Sequence, residues 1–342
     1  MFKLLLLLTL ATSVYAAGNS CKTGNIVNRL MNNQSYYWPS TWNENETAPK
    51  LEKDQTCSWI VTIPEGYYAR LIIDGKMEGK DSRIQMIDSV GNFEQTTHEK
   101  KDPYFFLPAK FTLAVSNLAA ATFAFKIQWF PFPRGPYWAS QISSGMVINA
   151  TNLIDNMIYG YTNGLSVLVF PEDRKNYHSL RSTLVFESDG SKLGNFVSSL
   201  YTLYKNNRDQ YFTRTADLAF MNVEVSGNID LVVMQNADLV RNLTYVELVT
   251  VANSTYTATL NSENKSSALI TATTFNQTMI DVQMNDDDYL TVYEGAPSIF
   301  SFPRNYTGAQ LKAALPIFYY ENGKSIYQWM LHSGTAVFTF QA

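Results

Sequence analysis

The chain has 342 residues and a net charge of −4, with charged side chains at only 16% of positions, where about 25% is usual. No basic stripe interrupts it, which argues against nucleic acid and anionic membranes as partners. Hydrophobic residues make up 46% and aromatic ones 14%, and their β-favouring types predict an all-β protein with its core between sheets.

The N-terminus reads as a secretory signal. Met1-Phe2-Lys3 supplies one positive charge, residues 4–11 are almost all apolar, and Ser13-Val14-Tyr15-Ala16 ends in a small residue. That order predicts a signal peptide over 1–16, cut after Ala16 or one residue later. The apolar run falls short of the ~20 residues of a membrane span, and no later stretch is long enough. A secreted, extracellular protein without a transmembrane segment is expected.

Two further features suit export. Asn33, Asn45, Asn149, Asn242, Asn253, Asn264, Asn276 and Asn305 each begin an Asn-x-Ser/Thr triplet, the acceptor for N-glycosylation. Cys21 and Cys57 are the chain's two cysteines. In an oxidising compartment an isolated pair predicts one disulfide.

Period-two segments follow at 58–63, 68–73, 83–87, 111–115 and 122–129. In the last, Phe123, Phe125, Ile127 and Trp129 face one way and Ala124, Lys126 and Gln128 the other. Short strands with turn signals at this spacing predict a β-sandwich over 17–133. Pro131, Pro133 and Pro136 then break the chain.

Residues 140–342 are again strand-rich, at 165–170, 183–186, 218–225, 229–234, 245–251, 279–284 and 289–293. Two segments read as short helices instead. Over 193–204, Phe196, Leu200, Leu203 and Tyr204 share a helical face, and 308–315 is the second. Leu165-Ser166-Val167-Leu168 and Leu290-Thr291-Val292-Tyr293 read as equivalent strands of two repeated units, placed at 140–225 and 226–342.

From Cys21 to Pro133 many residues stand in a distinctive order. They include Tyr36-Tyr37-Trp38-Pro39, Trp42, Ala48-Pro49-Lys50-Leu51, Gln55-Thr56-Cys57-Ser58-Trp59 and Ile63-Pro64-Glu65-Gly66-Tyr67-Tyr68-Ala69. Asp81-Ser82-Arg83-Ile84, Pro103-Tyr104-Phe105-Phe106 and Phe125-Lys126-Ile127-Gln128-Trp129 complete the series. This third of the chain resembles the CUB-like domain of a large group of nematode secreted proteins. The resemblance implies a jelly-roll-like antiparallel sandwich, secretion, a frequent association with responses to pathogens, and no established catalytic activity.

Many CUB domains hold calcium with a glutamate and two aspartates, and Glu78, Asp81 and Asp88 stand near the matching positions. Calcium, the one cofactor implied, wants several hard oxygen ligands. Yet Asp81 and Asp88 are seven apart where the usual pattern has six, which turns them to opposite faces of a regular strand unless a bulge intervenes. Turn aspartates that cap the strand ends are the alternative. Asp286-Asp287-Asp288 to Glu294-Gly295 resembles the same strand with the six-residue spacing, so a divergent CUB-like repeat stands beside an ordinary acidic loop.

No catalytic constellation is legible. His98, His178 and His332 are isolated, with no metal-ligand spacing, nucleophile elbow or glycine-rich nucleotide loop. The expected function is binding of an unidentified extracellular glycan or protein, as an effector in innate immune or pathogen response. The alternatives are a matrix or surface-coat component and a divergent secreted hydrolase. Aromatic groups at Tyr36, Tyr37, Trp38 and Trp42, and at Trp129, Phe130, Phe132, Tyr137 and Trp138, are expected to pack the core more than to stack on ligands.

Overall fold

A computed structural model describes residues 18–133, 138–141, 145–152, 157–160, 164–188, 193–206, 210–213, 217–248, 252–263, 265–272, 276–297, 302–319 and 326–342. The expected signal peptide lies outside these residues. The chain forms two compact units, Met1–Phe132 and Pro133–Ala342.

The first unit contains β1 (Asn25–Val27), β2 (Tyr36–Trp38), β3 (Lys50–Leu51), β4 (Gln55–Thr62), β5 (Tyr67–Met77), β6 (Arg83–Ile87), β7 (Phe93–Thr96), β8 (His98–Lys100), β9 (Tyr104–Phe106), β10 (Lys110–Asn117) and β11 (Ala121–Pro131). One sheet runs β1-β4-β10-β6-β7, with β1 parallel to β4. The other runs β2-β11-β5-β8, with β3 beside β11 and β9 beside β5. Alternation decides what lies between them. Phe123, Phe125, Ile127 and Trp129 of β11 join Trp59, Val61, Leu71, Ile73 and Phe111 in one core, as expected. Each buried aliphatic or Phe side chain contributes about 1.5–3 kcal/mol. Ala124 points the other way yet is fully buried, because the loop after β2 folds over that face and covers it with Trp42 and Ala48.

The second unit holds β12 (Trp138–Gln141), β13 (Met146–Asn149), β14 (Met157–Gly160), β15 (Leu165–Phe170), β16 (Thr183–Ser188), β17 (Leu193–Ser199), β18 (Tyr211–Phe212), β19 (Asp217–Asn222) and β20 (Leu231–Asn236). It continues with β21 (Thr244–Leu248), β22 (Thr255–Asn261), β23 (Ser267–Ala272), β24 (Gln277–Gln283), β25 (Tyr289–Glu294), β26 (Arg304–Thr307), β27 (Ile317–Tyr319), β28 (Ile326–Leu331) and β29 (Thr335–Gln341). Among the described residues three short α-helices accompany them: α1 (Leu200–Asn206), α2 (Ala237–Val240) and α3 (Gly308–Ala314).

These strands repeat the topology of the first unit twice. The five-stranded sheets run β12-β14-β19-β16-β17 and β21-β23-β28-β25-β26, and the four-stranded ones β13-β20-β15-β18 and β22-β29-β24-β27. In each five-stranded sheet the first pair is parallel, β12 with β14 and β21 with β23. Each pair of sheets encloses its own core, one around Leu165, Val185, Phe220 and Val232, the other around Leu269, Trp329, Phe338 and Phe340. The expected all-β, jelly-roll-like architecture therefore recurs three times along the chain.

Three expectations need correction. Residues 193–199 form β17 rather than helix, because they pair along β16 with Phe186 opposite Phe196. Helix begins only at Leu200, whose turn buries Leu203 and Tyr204. Residues 165–168 and 290–293 are not equivalent. β15 lies in a four-stranded sheet and matches β24, whereas β25 lies in a five-stranded sheet and matches β16. The division expected at 225/226 falls inside the middle sandwich, since β20 pairs with β13 and β15. The helix expected at 308–315 is present, closed by reciprocal hydrogen bonds between Thr307 and Gln310.

Candidate functional site

Asp81 and Asp88 flank β6, which pairs on both sides without a register shift. Its five residues alone span about 13 Å of backbone, and the aspartates lie beyond its two ends. Asp88 closes the turn into β7. Its carboxylate accepts from the amides of Val90 and Asn92 at 3.0 and 2.8 Å and from the Asn92 side chain at 2.7 Å. Glu78 follows the end of β5 and pairs with Lys76 at 3.7 Å. These three residues do not fit a calcium ion, since the aspartates lie beyond opposite ends of β6 and, with no bulge in it, the odd spacing is not corrected. Among the described residues no group of three His, Cys, Asp or Glu side chains converges as metal ligands would.

The second acidic run behaves alike. β25 occupies the place in its sheet that β6 holds in the first sandwich, and Asp288 and Glu294 stand at its opposite ends. Asp288 accepts from Asn285 Nδ2 and from the Ser333 hydroxyl, each at 3.0 Å. Asp286 pairs with Lys312 of α3 at 2.8 Å. These acids fasten loops.

Glu78 does line an open hollow of about 290 Å³ at one end of the six-stranded sheet, with Lys50, Leu51, Lys76, Ala120, Ala121 and Thr122. Register builds it. Thr122 of β11 lies opposite Lys50 of β3 on one side and Lys76 of β5 on the other. The two lysine backbones are thus about 10 Å apart, with the short Thr122 side chain between them. Ala120 and Ala121 carry nothing beyond Cβ, which leaves the space. Lys50 has no acidic partner among the described residues, so the hollow carries two ammonium groups against one carboxylate. Sequence reading singled out Glu78 and missed the lysines, because the register of β3 on β11 is a long-range property.

The histidines fall in three different sandwiches. His98 is exposed on β8, and His178 opens a short turn beside the Tyr201 ring. His332 stacks on Tyr289 at 4.4 Å and lies 2.8 Å from the Thr291 hydroxyl through Nε2. That hydroxyl donates to Asn305 Oδ1 at 2.9 Å. Burial pushes the His332 pKa below its ordinary value.

The aromatic groups mostly pack. Trp38 contacts Trp59 and Phe123, the Trp42 indole donates to the Glu46 carbonyl and Trp129 to that of Thr62. Phe130 stacks on Tyr68. Tyr137 and the Trp138 side chain lie outside the described residues. Cys21 and Cys57 form the expected disulfide, with Cα atoms 5.6 Å apart. Of the acceptor asparagines, Asn33, Asn45, Asn242, Asn253, Asn276 and Asn305 are exposed. Asn149 is half-buried with its amide donating to the Asn228 carbonyl, and Asn264 lies outside the described residues.

Among the described residues no helix is long and apolar enough to cross a membrane. Residues 16–133 match the family model described as the CUB-like domain. No curated protein matches the chain. Similar solved structures include the CUB1-EGF-CUB2 domain of human MASP-1/3, at 8% identity and a TM-score of 0.23, covering 58% of this chain and 98% of that one. The CUB1-EGF-CUB2 domains of rat MASP-1 are 8% identical with a TM-score of 0.25, covering 93% and 99%. The full extracellular region of zebrafish Gpr126/Adgrg6 is also 8% identical at 0.25, covering 94% of this chain and 33% of that one. The N-terminal assignment rests on the family match and the strand order.

Proposed function

We propose that the protein is a secreted, N-glycosylated binding protein that takes an acid-bearing extracellular ligand in the hollow of its N-terminal CUB-like sandwich. The row Lys50–Thr122–Lys76 carries this reading. Two ammonium groups with one carboxylate favour a carboxylate or sulfate, and the small volume suits one sugar ring or one acidic side chain rather than a larger ligand. Uronic or sulfated glycans and acidic peptide loops meet that description.

Binding is favoured over catalysis by what surrounds the hollow. Its one carboxylate, Glu78, is paired with Lys76, whereas glycoside hydrolysis needs two carboxyl groups about 5–9.5 Å apart. A role in pathogen response is supported by the resemblance of the first third of the chain to secreted nematode proteins of that association. The test is a binding screen over acidic and neutral glycans and microbial surfaces, using wild type and the double variant Lys50→Glu, Lys76→Glu. Retention of acidic ligands by wild type and their loss by the variant supports the reading. Equal binding by both, or none by wild type, overturns it.

A further inference from the structure

A free strand edge offers a row of unpaired N–H and C=O groups to any other chain, so sheet edges need protection. Among the described residues, the outermost strands of five residues or more are β17, β21 and β22. β17 is irregular, with two register shifts against β16. β21 carries Glu247, which pairs with Arg174. β22 has no charge, no proline and no register shift along its seven residues.

The hydrogen bonds around β22 show what its edge presents. The Ala342 amide donates to the Ser254 carbonyl at 3.1 Å, and the Ser262 amide to the Gly334 carbonyl at 2.8 Å. These bonds bracket the ladder with β29, so Tyr256, Ala258 and Leu260 turn their amides and carbonyls towards β29. Thr255, Thr257 and Thr259 turn theirs outward, along about 24 Å of strand.

A glycosylation triplet stands at the head of this strand. Asn253-Ser254-Thr255 ends in the first residue of β22. Asn253 is exposed, in a left-handed turn with φ of 60°. A glycan there is bulky and solubilising.

We propose that an N-glycan on Asn253 protects the β22 edge, and that without it two copies pair β22 to β22 about a two-fold axis. The proposal rests on the secreted, N-glycosylated part of the reading above and is independent of the hollow. Charge or irregularity protects the other two long edges, and the glycan is the device present at this one. Pairing centred on the outward row sets Thr257 opposite Thr257 of the second copy, a self-complementary contact between uncharged strands.

Sedimentation velocity on the full-length secreted protein, from low micromolar to several hundred micromolar, tests this with two ways of stripping the site. Thr255→Ala abolishes the triplet and leaves Asn253 in its turn. Endoglycosidase trimming to the first sugar leaves the sequence untouched. Wild type should stay monomeric, and both stripped forms should approach twice the monomer mass. Thr257→Lys, added to either, should restore the monomer, since like charges would stand directly opposite. Stripped forms that stay monomeric, or association that Thr257→Lys leaves unchanged, overturn the proposal. So does an unoccupied Asn253 in monomeric wild type, read by glycopeptide mass spectrometry. Acidic-ligand binding should be equal in all these proteins, so its absence in every one would tell against the hollow and not against this edge.

Discussion

Gln328 donates its side-chain amide to Gln235 across 3.1 Å, although 93 residues separate them and both are fully buried. Tyr245 completes the network by accepting from Gln235 at 2.8 Å and donating to Gln328 at 3.1 Å. Burial pushes the Tyr245 phenol well above its ordinary pKa, so it remains a donor at any workable pH. These three side chains fix the register between the middle and last sandwiches, where the apolar contacts alone would allow sliding.

Removing one member should therefore cost more than the bond itself. Tyr245→Phe leaves Gln235 Nε2 and Gln328 Oε1 short of a partner inside the seam, at about 1–3 kcal/mol. Urea unfolding should show the C-terminal transition moved to lower denaturant by that amount. An unchanged midpoint would mean that water reaches the seam.

The first sandwich was largely legible in sequence because its strands alternate cleanly. Phe123, Phe125, Ile127 and Trp129 mark a core face wherever β11 is placed. In the middle sandwich β15, β16, β19 and β20 were legible as strands, but β15 is buried along its whole length, and a run with no period shows neither its inward face nor the sheet it joins. Helical spacing at Phe196 and Leu200 misled for a related reason: pairing of β17 with β16 overrides local periodicity. The hollow was invisible, because nothing local sets Lys50 opposite Thr122. The acidic trio was visible but its geometry was not, since separation along a strand becomes distance only once the strand is known to be regular.

The disulfide ties the segment before β1 to β4, and Cys57 is fully buried. Closing a loop with a sequence separation of 36 should contribute about 4 kcal/mol through the unfolded chain. Cys21→Ser is the gentler test, because Cys21 is only partly buried. Its expected effect is a loss of that order in the first unit's unfolding free energy, with the C-terminal transition unmoved.

His332 makes stability pH-dependent. Its folded pKa lies below the ordinary 6.5 because burial disfavours the imidazolium. The unfolded chain therefore takes up the proton first, so stability is complete above that value and declines as pH falls through the folded pKa. Melting curves between neutral and mildly acidic pH should show the decline in wild type. His332→Gln should flatten it, and an unaltered slope would assign the dependence to other groups.

Ligand binding in the Lys50–Thr122–Lys76 hollow should be electrostatic, so added salt should weaken it. The lysines are exposed, and their replacement leaves the core intact. Thr122→Trp should block the hollow with no change in its charge.

Calorimetric titration of an acidic oligosaccharide selected by the screen, into wild type and into Lys50→Glu with Lys76→Glu at two salt concentrations, addresses the binding claim directly. The account predicts saturable binding that weakens with salt, and at least a tenfold loss in the variant, equivalent to about 1.4 kcal/mol. Equal affinity in the two proteins, insensitive to salt, would contradict it.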